Sequence, residues 1–208
     1  MMRRLVVAGL LAALALPAAA QTSPAPLATP APALPRVALE TSAGRIVIEV
    51  ETAKAPVTAA NFLRYVDQKK LDGIVFYRTV KVADRFGFVQ FGTDGDAKRT
   101  LPPIKHEPTS ETGLHHTEGT ISVARLGLGT ARGDFTIMLG DQRPSMDADP
   151  AKPGDNQGYA AFGRVVEGMD VVLKIFDAPV SKTAAIRGAF KGEIPGVPVR
   201  IVSARRVK

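Results

Sequence analysis

The chain has 208 residues, 45% of them apolar, and a formal charge of +7 at pH 7. That suits one domain with a sizeable core and excludes a disordered chain. With no cysteine, disulfides, thiol nucleophiles and cysteine zinc sites are also excluded. The basic residues gather along 78–99 and at Arg200, Arg205, Arg206 and Lys208. No aromatics interleave the terminal cluster, so a solvated surface is expected and no nucleic-acid partner.

Arg3 and Arg4, the apolar run Leu5 to Leu16, Pro17 and Ala18-Ala19-Ala20 have the three-part pattern of a cleavable signal peptide over 1–20. The apolar run is too short for a comfortable membrane span, so no stable membrane insertion is expected after cleavage. The expected compartment is a bacterial periplasm. Residues 21–35, QTSPAPLATPAPALP, predict an extended Pro/Ala-rich linker. The folded domain is expected over 36–208.

Val37, Leu39 and Thr41 alternate with Ala38 and Glu40, and Ile46, Ile48 and Val50 alternate with Val47 and Glu49. With Ser42-Ala43-Gly44 between them, the two runs predict a β-hairpin. Pro56 suits a helix first turn, and Val57, Ala60, Leu63 or Arg64, and Val66 recur at helical spacing. Strands follow at 74–78 and 86–91, separated by a polar loop at 81–85. Residues 92–120 and 140–158 predict long loops. Strands are expected at 121–125, 135–139, 160–165 and 197–207, with a short helix at 169–176. Eight short strands with two helices exclude a parallel α/β sheet. They predict a mainly β fold, a closed eight-stranded antiparallel barrel with two capping helices.

Arg78 and Gln90 interrupt otherwise apolar strands, and such groups need a partner or a solvent-facing cleft. No hydrolase motif surrounds His106, His115 or His116, and their spacing is not that of a zinc site. GTDGD at 92–96 lacks the lysine and hydroxyl residue of a phosphate loop. The acidic residues Asp141, Asp147, Asp149 and Asp155 lack calcium-loop spacing.

The stretch IVFYRTVKVADRFGFVQFG at 74–92 resembles a cyclophilin-type peptidyl-prolyl cis-trans isomerase of the bacterial exported branch. It is flanked in the family's order by LETSAGRIVIEV and APVTAANFLRYV upstream, and by GTISVAR, DFTIMLGD and AAFGRVVEGMDVV downstream. The likeness covers roughly 36–207. It implies a cyclophilin-like barrel with its cleft on the outer wall. It also implies Arg78 as the catalytic arginine and Gln90 as the glutamine that orients the arginine or the substrate carbonyl. Phe86, Phe88, Ala124, Arg125, Asp134, Phe135, Thr136, Met146 and Tyr159 are the implied substrate-binding positions. No cofactor or metal is expected, and a monomer is.

The implied chemistry needs neither nucleophile nor metal. An X–Pro amide is held planar by a barrier of roughly 18–20 kcal/mol. Twisting it leaves a lone pair on the prolyl nitrogen. A fixed donor aimed at that nitrogen favours the twisted state, which is what catalysis requires. Arginine supplies donors, is always charged and cannot accept. The expected partners are proline-containing unfolded or extended polypeptides.

The chain departs from the family pattern in places. Gly87 stands where phenylalanine is usual, with Phe86 and Phe88 flanking it. Thr136 replaces a pocket phenylalanine, Ser145 a tryptophan of some members, and Tyr159 a common histidine. The changes at Gly87 and Thr136 motivate the alternative of a proline-binding chaperone or scaffold module with little or no turnover.

Overall fold

The computed structural model describes residues 33–186 and 188–208. The expected signal peptide and most of the expected linker lie outside them. The elements run β1 (Arg36–Thr41), β2 (Gly44–Val50), α1 (Pro56–Asp67), β3 (Phe76–Ala83), β4 (Phe86–Gly92), α2 (Thr109–Thr112), β5 (Thr120–Val123), β6 (Asp134–Leu139), α3 (Arg143–Met146), β7 (Ala160–Glu167), α4 (Met169–Asp177) and β8 (Ile201–Val207). Both long helices stand where expected. The two long loops each hold a single helical turn, and β3 runs on through Ala83 into the expected loop.

The eight strands make one antiparallel sheet, ordered β3-β4-β6-β5-β7-β2-β1-β8. The sheet curls into an open half-barrel, which corrects the expected closed barrel. Its edges β3 and β8 share no ladder. They approach through an isolated Val75–Arg200 bridge and a few backbone bonds just before each strand, including Phe76 N–H to Val199 O at 2.9 Å and Ile201 N–H to Ile74 O at 2.8 Å. The expected strand at 197–200 does not form. Pro195 and Pro198 lie just before β8, and proline cannot donate to a ladder. The described residues between α4 and β8 instead reach β3, where Thr79 N–H donates to Glu193 O at 2.7 Å.

Alternation along the strands fills the interior. Leu39, Ile46, Ile48, Phe76, Val89, Phe91, Phe135, Ile137 and Phe162 are fully buried. Phe135 lies at the centre of an aromatic cluster, with Phe62 at 5.1 Å, Phe91 at 5.7 Å and Phe162 at 5.8 Å between ring centroids. The apolar face of α1 closes this side, burying Phe62, Leu63, Tyr65 and Val66.

Pro56 opens α1, as its missing N–H allows. The next donors are met from the first long loop. Glu107 accepts from Val57 N–H at 3.0 Å and, through its other oxygen, from Thr58 N–H and Oγ1 at 2.7 Å each. A carboxylate at a helix N-terminus is favoured by both hydrogen bonding and the helix dipole. The contact therefore pins the loop 93–119 to the body of the fold.

Candidate active site

Strand register builds the site. Arg78 lies opposite Gln90 across β3 and β4, Gln90 opposite Thr136 across β4 and β6, and Thr136 opposite Ser122 across β6 and β5. Directly paired residues share a sheet face, so residues from four strands form one row. The next row pairs Val80, Phe88 and Met138. This is the outer face of the sheet, and it floors a cleft of about 740 Å³.

Arg78, Phe88, Gln90, Ala124, Arg125, Asp134, Thr136, Met146 and Tyr159 all line the cleft. Two expected residues do not. Phe135 is fully buried on the opposite face of β6, in the aromatic cluster. Phe86 lies at the start of β4, where its ring faces Gly140. The alternatives left open for the pocket phenylalanine are thus separated: Phe88 is in the wall and Phe86 is not.

Backbone irregularities aim the key groups. The pairing of β3 with β4 slips between Phe76 and Arg78, leaving Tyr77 as the extra residue of a bulge. A bulge turns neighbouring side chains to one face, and Tyr77 and Arg78 both reach the cleft. A second slip between Lys81 and Ala83 faces Gly87. Its φ is 150°, and a Cβ there would stand 1.9 Å from Val80 O. No phenylalanine can occupy this backbone position, which accounts for the departure seen in the sequence.

The Arg78 guanidinium is held on several sides. Nη1 donates to Gln90 Oε1 at 3.2 Å and Nε donates to Glu193 at 2.6 Å. The ring of Phe190 lies 3.9 Å from the guanidinium carbon and that of Phe88 5.4 Å. Guanidinium faces favour such aromatic stacking. The Arg78 side chain is 20% exposed, and Nη2 has no protein partner among the described residues.

The far end of the cleft is polar. Tyr77 Oη donates to Asp134 Oδ1 at 3.1 Å, and Asp94 N–H donates to the same oxygen at 2.8 Å. Burial, then the nearby Asp134 charge, raise the Tyr77 pKa, so the phenol stays a donor.

Arg125 lines the cleft with its head group held by the loop that follows α3. Its Nη groups make two bonds to Asp155, at 2.7 and 2.9 Å, and Nη2 donates to Gly158 O at 2.6 Å. These bonds tie the loop 148–158 beside Tyr159. The Arg125 hydrogen bonds hold Asp155 down at about 2.

Met146 is seated by the preceding loop. His116 Nδ1 lies 2.6 Å from Asp147 Oδ1, and His116 Nε2 lies 3.0 Å from Ser122 Oγ. His115 Nδ1 reaches the other Asp147 oxygen at 2.6 Å. Burial lowers the His116 pKa. Asp147 faces its Nδ1, and the Ser122 hydroxyl that faces its Nε2 also donates to Ala160 O at 3.0 Å. The fold thus assembles a Ser-His-Asp arrangement that no sequence motif signalled. Ser122 and His116 are fully buried, so no scissile carbonyl can reach the hydroxyl. The relay anchors the Met146 loop to β5.

Tyr77, Met138 and Phe190 also line the cleft and Glu193 bonds its arginine, four residues that the sequence pattern does not single out. Tyr77 and Met138 could have been found by extending the alternation of β3 and β6 and allowing for a bulge. Phe190 and Glu193 come from a segment with no periodicity and carry no such signal.

Residues 36–206 match the family model described as Cyclophilin type peptidyl-prolyl cis-trans isomerase/CLD. Peptidyl-prolyl cis-trans isomerase cyp18 of Streptomyces antibioticus is 38% identical over 172 residues, 81% of this chain and 96% of the relative. Peptidyl-prolyl cis-trans isomerase A of Dickeya dadantii is 33% identical over 177 residues, 83% of this chain and 84% of the relative. The crystal structure of a Cryptosporidium parvum cyclophilin type peptidyl-prolyl cis-trans isomerase shares the fold at a TM-score of 0.63 and 18% identity, covering 84% of this chain and 98% of that one. A structure of that protein in the presence of the dipeptide Ala-Pro has a TM-score of 0.61 at 17% identity, covering 83% of this chain and 99% of that one.

Proposed function

This chain belongs to the cyclophilin-type peptidyl-prolyl cis-trans isomerase family, and from that premise we propose that Arg78 catalyses X–Pro rotation in extended polypeptides entering the outer cleft. The carrying observation is the placement of Arg78 in the cleft wall, directly across the strand pair from Gln90. Phe88, Met138 and Met146 offer an apolar wall for the proline ring, while Nη2 of Arg78 is directed to the prolyl nitrogen of the twisted amide. Gln90 holds Nη1 in place. A fixed charged donor stabilises the twisted state more than the planar one.

The proposed clients are exported proteins folding in a bacterial periplasm, and the protein acts there as a monomer. The signal-peptide pattern over 1–20 supports that placement. N-terminal sequencing of protein recovered from a bacterial periplasm checks it, with Gln21 expected as the first residue.

The mechanism is tested by protease-coupled isomerisation of a short X–Pro peptide. Native protein accelerates the reaction, and Arg78→Ala lowers kcat/KM by about tenfold or more, the scale of losing one transition-state donor. Peptide binding without acceleration by native protein would transfer the assignment to the proline-binding module.

A further inference from the structure

The segment after α4 contributes two side chains to a site otherwise built from the sheet and its loops. Glu193 lies 115 residues from Arg78 in sequence, yet its carboxylate is 2.6 Å from Arg78 Nε. Its backbone is tied to the neighbouring residue of the same strand, by the 2.7 Å bond from Thr79 N–H to Glu193 O. Two bonds to adjacent β3 residues thus fix where the carboxylate sits. The base of the segment is closed by Ser181 N–H to Ile194 O at 2.7 Å and Gly196 N–H to Pro179 O at 2.9 Å.

Phe190 stands three residues earlier, with Glu193 N–H donating to its carbonyl at 3.0 Å. Its φ is 61°, a left-handed conformation that a bulky residue adopts only when its surroundings enforce it. The ring lies over the guanidinium at 3.9 Å and lines the cleft. An apolar ring thereby joins Phe88 in the wall of a cleft whose floor carries Thr136.

We propose that Glu193 is the positioning residue of Arg78, and that Phe190 is a specificity-determining wall of the cleft. The proposal rests on the assignment of Arg78 as the catalytic arginine. Glu193 accepts at Nε and Gln90 at Nη1, so two points fix the guanidinium plane and leave Nη2 for the substrate. Without the carboxylate, the long side chain regains rotamers that point it away. Phe190 contacts the residue beside the bound proline, so it favours apolar over charged neighbours there.

The test separates kcat from KM on X–Pro peptides. Glu193→Ala lowers kcat by about tenfold while KM stays within about twofold, because it misplaces a donor and leaves the binding wall intact. Glu193→Gln keeps an acceptor and recovers at least about half of the native kcat. Phe190→Ala raises KM for apolar peptides by about fivefold, as expected for lost pocket contact. A Glu193→Ala enzyme with kcat at or above the native value overturns the positioning role, and an unchanged KM in Phe190→Ala overturns the wall. If Glu193→Ala does not fold, the native Arg78 Nε–H resonance decides: slow solvent exchange supports the contact and rapid exchange overturns it. Native protein without activity, or Arg78→Ala with full activity, sinks the parent assignment. Activity that depends on Arg78 but ignores Glu193 sinks only this inference.

Discussion

Gln90 sits directly across the β3–β4 pair from Arg78, and its Oε1 accepts a hydrogen bond from Arg78 Nη1 at 3.2 Å. Residues paired in this way are held by two strand backbones, so the glutamine resists the arginine's swing into solvent. Gln90→Ala is expected to lower kcat/KM by about tenfold while changing stability by less than about 1 kcal/mol. Peptide kinetics and denaturant melts on the same preparation measure both. Native kinetics in the variant would show that the pair is incidental.

Phe88 and Phe135 make opposite predictions because they face opposite sides of the sheet. Phe135 is fully buried against Phe62, Phe91 and Phe162. Phe135→Ala should cost about 3–5 kcal/mol of unfolding free energy, the range for emptying an aromatic core site. Phe88→Ala removes part of the cleft wall and should raise KM with a much smaller change in melting. A reversed pattern would mean that the two faces are wrongly assigned.

Gly87 cannot accept a side chain without a backbone shift, since a Cβ would meet Val80 O at 1.9 Å. Gly87→Ala is expected to destabilise by about 2 kcal/mol or more, through positive φ and steric overlap together. Gly87→Phe would not restore the family's aromatic pocket. An alanine variant with an unchanged denaturant midpoint would contradict the bulge geometry.

Acid should loosen the Met146 loop. Burial lowers the His116 pKa from its ordinary value of 6.5, so the unfolded chain binds the proton more readily than the folded one. Its contribution is complete above pH 6.5 and declines as pH falls through the lower folded value. For Asp147, burial raises the pKa, but hydrogen bonds from His115, His116 and the His116 N–H outweigh it and lower it overall. Its contribution is present above its ordinary value of 3.8 and is lost as pH falls through the folded value. Melting temperature should therefore drop below pH 6.5 in the native protein and drop less in His116→Gln. Identical pH profiles would remove the histidine from the account.

The Arg125–Asp155 bridge should hold the loop 148–158 without contributing much to global stability. Asp155 is exposed, and its carboxyl is held at about 2 by the Arg125 hydrogen bonds, so the tie persists to strongly acid pH. Asp155→Asn should speed amide exchange at 148–158 while leaving the global melt unchanged. Unaltered exchange there would show that other contacts carry the loop.

Much of the fold could be read from local pattern. Leu39, Ile48 and Phe91 declared their strands by alternation, and Pro56 with Phe62 declared the helix. The row joining Arg78 to Gln90 was already visible as polar breaks in apolar strands. Three features escaped the sequence. Tyr77 reached the cleft through a bulge, Ser122 met His116 and Asp147 on the covered part of the sheet's outer face, and the half-barrel remained open where a closed barrel was expected. Each depends on how two strands or loops meet, and neither sequence spacing nor composition encodes such a meeting directly.

Alternation and helical spacing are local consequences of side-chain geometry, so the chain alone determined its strands, its two main helices and the polar pair set in its outer face. The long-range closures were decided only in three dimensions. The prolines before β8 kept the sheet from sealing, and the same segment lay along β3 and brought Glu193 and Phe190 onto an arginine 115 and 112 residues away. Backbone hydrogen bonds such as Thr79 N–H to Glu193 O are blind to residue type. The contacts they impose exist only once the chain has folded.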